Sequence, residues 1–231
     1  MWVVPLTAAV IALVFAALLV RRFAARRRPF QILWAAALAM YAAASFAVFL
    51  GVVSGWSAAA YRTYWLFGAV LNVPYLAVGE FHLLAESRRL KVFVTCALVL
   101  ISALALVAVL QADVTASALS SDLPSSKCAW STEPTMRLLA SVCSYLAYAY
   151  LLGGTAWSAW RMRGASHLRN RFLGPLGIAS GATIVAAGSA FAAKGIAVGF
   201  SLTLAAGVAV MFWGFLRVSK LGVSPPPENQ G

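Results

Sequence analysis

Acidic residues are scarce in this sequence. Asp and Glu together number six among 231 residues, and charged residues of both signs make up only 10%. A water-soluble domain carries about 25% charged residues, whereas hydrophobic residues reach 62% here. Too few polar side chains remain to cover a soluble globule, so the composition indicates a membrane protein.

Histidine and cysteine are also rare, which argues against metal chemistry. The chain has two histidines, His82 and His167, and three cysteines without a CxxC pair. A catalytic zinc takes about three protein ligands, and the hydrophobic segments contain no Asp. We therefore expect no metal and no cofactor. A disulfide between Cys128 and Cys143 is left open.

The common catalytic motifs are missing as well. The sequence contains no GxSxG, no Walker A and no GxGxxG pattern, so the usual nucleophile and phosphate-binding sites are absent. These absences favour a protein that is not an enzyme. A membrane enzyme acting on lipid is a weaker alternative, because no nucleophile–base pair stands out.

Long hydrophobic runs dominate what is present. Each is close to the ~20 residues that cross the hydrocarbon layer as a helix, and in lipid the backbone must satisfy its own hydrogen bonds. The pattern predicts an all-α membrane fold, one bundle of seven transmembrane helices within residues 1–220. The predicted helices are 2–20, 31–53, 62–85, 91–111, 136–160, 172–191 and 196–217.

The first hydrophobic run resembles a signal peptide only superficially. Arg21 and Arg22 follow the run instead of preceding it, and no convincing small-residue cleavage site comes before a polar start. A signal peptide has its positive charge in front. We expect a retained first helix.

Basic residues are distributed unevenly among the predicted loops. Most of the 18 Lys and Arg lie between helices one and two, three and four, or five and six, or after helix seven. The positive-inside rule then predicts an N-out/C-in topology. These loops also suit anionic lipid headgroups. A nucleic-acid partner is disfavoured, because no aromatic residues interleave the basic ones.

Two segments are more polar than the rest. The loop 112–135, on the predicted outer side, is rich in Ser, Asp and Pro, which favours turns over a packed element. The tail 221–231 is polar and Pro-rich, so we expect it to be disordered in the cytoplasm.

Glycines recur along the last two predicted helices at spacings that place them on one helix face. Small residues let helix backbones approach closely in a membrane. The pattern predicts packing of helices six and seven against each other, with a homodimer seam as the alternative. The glycines concerned are Gly174, Gly177, Gly181, Gly188, Gly195 and Gly199.

Aromatic residues gather near the predicted ends of the helices, which is typical of the interfacial aromatic belt and not of a ligand cage. The outer set is Trp56, Tyr61, Tyr64, Trp65 and Trp130, and the inner set is Trp157 and Trp160.

Glu80 is the candidate functional residue. It lies about 9 Å from the inner boundary of predicted helix three, at 1.5 Å per residue, and an ionisable residue within a membrane segment is by default a functional hypothesis. Asn72 is in the same helix, and Pro74 predicts a kink. Tyr145 and Tyr148 of helix five are candidates to complete a ligand or proton site. Further polar residues for such a pocket are Tyr41, Ser45, Cys143 and Ser144. A glutamate that only hydrogen-bonds a neighbouring helix is the alternative.

His82 is close to Glu80 in sequence but not in a helix. Two residues correspond to about 200° of rotation, so the two side chains face nearly opposite ways. His82 shares its face with Glu86 instead, and a contact between them is expected near the inner headgroups.

Three segments resemble uncharacterised integral membrane proteins of GC-rich, actinobacterial-type bacteria. They are 64–79 (YWLFGAVLNVPYLAVG), the glycine-bearing 174–188, and 200–215 (FSLTLAAGVAVMFWGF). The resemblance covers helices three, six and seven. It implies a multi-pass protein of the bacterial inner membrane and carries no activity.

Two functions from different classes follow. The first is a scaffold, an accessory subunit or a small-ligand receptor, which a homo-oligomer or a membrane protein partner would complete. The second is a small transporter or proton-coupled permease that uses Glu80.

Overall fold

The computed structural model describes residues 3–120, 124–161, 176–177, 180–181, 183–188, 191 and 196–220. Within these ranges the chain is helical and contains no strand. The described residues between 176 and 191 are all helical as well. The helices are α1 (Val3–Arg26), α2 (Pro29–Ser54), α3 (Ala58–Leu84), α4 (Arg88–Gln111), α5 (Ser126–Ala129), α6 (Pro134–Arg161) and α7 (Ala197–Lys220).

Five helices are long and apolar enough to cross a membrane. They are α1, α2, α3, α4 and the part Pro134–Gly154 of α6, and α7 contains the shorter apolar stretch Val198–Gly214. These five indicate a multi-pass membrane protein, and they coincide with the first five predicted segments. Of the sixth predicted segment, 172–191, the structure describes 176–177, 180–181, 183–188 and 191, and these residues are helical.

The first two helices form a tight hairpin. Arg27 adopts φ +50° after α1, the left-handed conformation that commonly ends a helix. Pro29 then begins α2, where its missing N–H and fixed φ suit the first helical position. Ala8, Ala12 and Ala16 are buried along one face of α1. These small side chains let the backbones of α1 and α2 approach closely.

The third helix changes its winding along its length. Ala58–Tyr64 is α-helical, Trp65–Leu71 is π-helical and Asn72–Leu84 is α-helical again. Pro74 explains the position, because proline lacks an N–H and its ring clashes with the carbonyl four residues earlier. The sequence predicts a kink at Pro74, and the structure has a π-helical segment that ends three residues before it.

The described residues of the loop after α4, 112–120 and 124–133, are folded and packed. Ala116–Ser120 forms a 3-10 helix and α5 follows, with the Thr115 N–H donating to the Ala129 carbonyl at 3.0 Å. Trp130 is fully buried. The expectation that loop 112–135 has turns but no packed element is wrong. Its apolar residues are few, but Ala118, Ala129 and Trp130 are all buried in the core.

Helix α7 packs against α1 and against the helical residues around Gly177 and Gly181. The rings of Phe15 in α1 and Phe212 in α7 meet edge to face at 5.1 Å between centroids. A Cβ added at Gly177 would come within 2.5 Å of Gly214 Cα, and one at Gly181 within 2.5 Å of the Gly207 carbonyl oxygen. Only a residue without a side chain fits such a contact.

The remaining predicted packing glycines divide into two groups. A Cβ at Gly188 would collide with Thr203, and one at Gly199 would lie 2.7 Å from the Phe191 ring. These contacts lie within one chain. Gly174, Gly195 and the tail 221–231 are outside the described residues.

Candidate functional site

Glu80 lies at a helix interface. It is 5% exposed and is located in the Asn72–Leu84 part of α3, four residues or about 6 Å before the helix ends. Its carboxyl group lies against the backbone of α6 at Gly154. A Cβ added at Gly154 would lie 3.1 Å from Glu80 Cδ and 3.2 Å from each carboxyl oxygen. The glycine therefore makes room for the carboxyl group.

A tyrosine borders this contact. Tyr150 precedes Gly154 by one turn of α6. The Tyr150 ring also packs on Phe81, with centroids 6.0 Å apart. Tyr150 is 38% exposed. Sequence reasoning did not select Tyr150 or Gly154.

Asn72 is buried but turned toward a different helix. Its Nδ2 donates a hydrogen bond of 3.0 Å to the Ala37 carbonyl in α2. Asn72 and Glu80 are eight residues apart, which is about 12 Å along a helix, and Glu80 faces α6. The structure therefore does not bring the two predicted site residues together.

The two predicted site tyrosines also lie apart from Glu80. Tyr145 is 71% exposed on the outside of α6. The Tyr148 hydroxyl donates to Thr183 Oγ1 at 2.9 Å. Neither side chain joins Glu80 in a pocket, because α6 presents Gly154 to that carboxyl group instead.

Other polar residues proposed for the pocket bind backbone carbonyls of neighbouring helices. The Ser144 hydroxyl of α6 donates to Ala69 in the π-helical part of α3. The Tyr41 hydroxyl of α2 donates to Leu204 in α7. Both side chains are thus engaged in holding helices together. They are not available to line a polar cavity.

Trp34 supplies a further bond of this kind. Its indole Nε1 donates to the Leu76 carbonyl of α3 at 3.1 Å. The ring fits because Gly79 has no side chain, since a Cβ there would collide with Trp34. Together with Asn72, Ser144 and Tyr41, this gives four side-chain bonds to carbonyls across the helix interfaces α2–α3, α3–α6 and α2–α7. Such bonds are worth about 0.6–2 kcal/mol each in membrane proteins.

His82 has a different partner from the one expected. Helix α3 ends at Leu84, before Glu86, so the two residues do not share a helical turn. His82 Nε2 lies 2.8 Å from Thr95 Oγ1 in α4, and that hydroxyl donates to the Lys91 carbonyl at 2.9 Å. The hydroxyl proton is thus engaged, and we assign Nε2 as the protonated donor to Thr95.

The described residues contain no group of three His, Cys, Asp or Glu side chains that could hold a metal ion. Cys96, Cys128 and Cys143 are free thiols. The alternative of a Cys128–Cys143 disulfide is therefore not realised.

Aromatic residues form a buried cluster instead of an outer belt. The Tyr61 ring contacts Trp56, Tyr64, Trp65 and Trp130, with centroid distances from 5.6 to 6.2 Å. Tyr61 and Trp130 have no exposed surface, and Trp56 and Trp65 are at most 8% exposed. The belt interpretation is wrong for these residues. A signal was present, since Tyr61, Tyr64 and Trp65 share one helix face. We call Trp56, Tyr61, Tyr64, Trp65 and Trp130 the aromatic cluster.

Comparisons of the chain with protein families, characterised proteins and solved structures gave no match. The similarity to actinobacterial-type membrane proteins stays a prediction. The function must therefore be argued from the residues and their contacts.

Proposed function

We propose that the chain is an integral membrane protein that acts by binding and not by catalysis, as a scaffold, an accessory subunit or a small-ligand receptor. The chain spans the bacterial cytoplasmic (inner) membrane seven times, with its N-terminus outside and its C-terminus inside. The five long apolar helices and the uneven placement of the basic residues support this arrangement. The basic loops contact anionic headgroups on the inner side.

One observation carries the proposal. Four buried or half-buried polar side chains each donate to a carbonyl of another helix. Moving one helix past another would break these bonds in an environment without water to replace them. A bundle tied in this way suits a fixed surface or site better than a pathway that opens alternately to each side.

Isolation of the intact protein in mild detergent tests the proposal. We expect it to retain a membrane protein or small-molecule partner reproducibly, detected by native mass spectrometry. An unrelated protein of the same membrane, carrying the same tag, controls for nonspecific capture. A lone monomer that shows catalytic turnover or solute flux contradicts the proposal.

A proton-coupled permease is the second candidate, and the buried Glu80 favours it. Glu80 is 5% exposed in a membrane segment, where ionising a carboxyl group costs free energy. In a transport cycle this residue would be protonated in one state and ionised in another.

Flux into proteoliposomes under an imposed pH gradient tests the permease candidate. Glu80→Gln should abolish pH-dependent uptake, because glutamine keeps the shape but cannot release a proton. Glu86→Gln is the matched control, since Glu86 is exposed just beyond α3. Uptake that is equal in both variants and independent of pH rules this candidate out.

A further inference from the structure

The aromatic cluster and its neighbour Arg62 bury four polar atoms that have no hydrogen-bond partner among the described residues. They are the Tyr61 hydroxyl, Arg62 Nε, Trp65 Nε1 and Trp130 Nε1. Tyr61 and Trp130 are completely buried, and Trp65 is 8% exposed. Native proteins leave few buried donors unsatisfied, and each instance calls for an explanation.

These atoms belong to side chains that lie together. The rings of Tyr61, Trp65 and Trp130 are in mutual contact, with centroid separations of 5.6, 6.1 and 6.2 Å. Arg62 follows Tyr61 directly and donates through Nη2 to the Ala112 carbonyl at 2.7 Å. Ala112 begins the loop that carries Trp130, so the loop links the guanidinium group to the ring cluster.

All four groups can donate, and three of them can do nothing else. Indole and guanidinium nitrogens have no acceptor function, and a tyrosine hydroxyl can donate to an acceptor. Arg62 adds a positive charge. A donor set of this kind is complementary to an anion, and hydrogen bonds from such donors to a charged acceptor are stronger than neutral ones.

We propose that the aromatic cluster and Arg62 bind a small inorganic anion of halide size, held by the Tyr61 hydroxyl and the side-chain N–H groups of Arg62, Trp65 and Trp130. The ligand is small because Tyr61 and Trp130 have no exposed surface and Trp65 is 8% exposed. A phospholipid could place only its headgroup at these buried donors, and its acyl chains would remain outside the aromatic cluster. The inference does not depend on Glu80 or on the role proposed above.

Iodide titration of the purified protein, monitored by tryptophan fluorescence, tests the site. Sodium gluconate keeps the ionic strength constant. A bound iodide beside Trp65 and Trp130 should quench a fraction of the emission saturably, and chloride should reverse the quenching by competition. Quenching that rises linearly with iodide and ignores chloride is collisional and overturns the proposal.

Matched variants locate the site. Tyr61→Phe and Trp130→Phe each remove one donor and keep an aromatic ring, and each should weaken anion binding about tenfold or more. Trp157→Phe is the control, because Trp157 is 56% exposed on α6, and it should leave the affinity unchanged.

Thermal unfolding provides a second measurement on the wild-type protein alone. Chloride should raise the unfolding midpoint in a saturable manner, because it binds only the folded state. A midpoint that responds to added anionic phospholipid and not to chloride assigns the donors to a lipid headgroup and overturns the halide site.

Discussion

At the scale of the residue, the informative feature is a carboxyl group placed against a glycine. Glu80 contacts the backbone of α6 at Gly154, and an added Cβ would lie 3.1 Å from its Cδ. The sequence showed that Glu80 is unusual, because a carboxylate stood out in a hydrophobic segment. It could not show the partner, because Gly154 is one of 17 glycines and nothing marks it as facing α3.

Gly154→Ala should give a less stable protein than the same change at Gly153, because its methyl group would lie 3.1–3.2 Å from the Glu80 carboxyl group and the crowding offsets the helix propensity that alanine gains. The measurement is the thermal unfolding midpoint in detergent.

Gly153→Ala is the matched control, since nothing lies within 4 Å of a Cβ at that position. It should be neutral or slightly stabilising, because alanine favours helix by about 1 kcal/mol over glycine. Equal midpoints for the two variants would show that the Glu80–Gly154 contact is not packed as described.

At the scale of the element, bonds from side chains to carbonyls hold α2, α3, α6 and α7 together. Hydrophobic run length predicted the helices well, as the expected 31–53 and 91–111 compare with Pro29–Ser54 and Arg88–Gln111. Run length says nothing about which polar side chain crosses to which neighbour. Ser144 and Tyr41 therefore entered the prediction as cavity residues, whereas they bind neighbouring backbones.

Ser144→Ala should lower stability by about 0.6 kcal/mol, the average for interhelical hydrogen bonds in a membrane protein, and by no more than about 1.7 kcal/mol, the largest value found. Ser141→Ala provides the comparison, because the Ser141 hydroxyl bonds Arg137 within its own helix at 2.8 Å and crosses to no neighbour. Unfolding midpoints decide. A loss as large in Ser141→Ala as in Ser144→Ala would contradict a tie between α6 and α3.

Loop 112–135 shows a second limit of sequence reasoning. Local composition predicted a polar loop, but it could not show that one tryptophan inserts among rings from α3. Burial of Trp130 depends on Tyr61 and Trp65, which lie more than 60 positions earlier in the sequence. Contacts so distant in sequence leave no periodic signal.

At the scale of the whole molecule, the helices that could span a membrane differ in how much they bury. Half of the residues in the 18-residue apolar stretch of α2 are buried inside the protein, whereas only 17% are buried in the corresponding stretches of α4 and α6. Helices α4 and α6 thus present wide apolar faces, suited to lipid or to another membrane protein. The bundle centre is formed by α1, α2 and α3.

The proposed topology predicts which native thiol can be labelled from outside. Cys128 is exposed on the loop side and Cys96 is exposed within α4. A membrane-impermeant maleimide should label Cys128 in intact spheroplasts, and Cys128→Ser should remove the signal. Labelling only in inside-out vesicles would reverse the orientation.

The most direct test of the central claim, a bundle fixed by cross-helix bonds, is a distance distribution between spin labels. The labels are placed at native Cys96 and at Val20→Cys, both exposed, in a Cys128→Ser, Cys143→Ser background reconstituted in lipid. A fixed bundle predicts one narrow distribution between α1 and α4 that is the same at acidic and neutral pH. Two populations whose ratio follows pH, and which Glu80→Gln reduces to one, would contradict it.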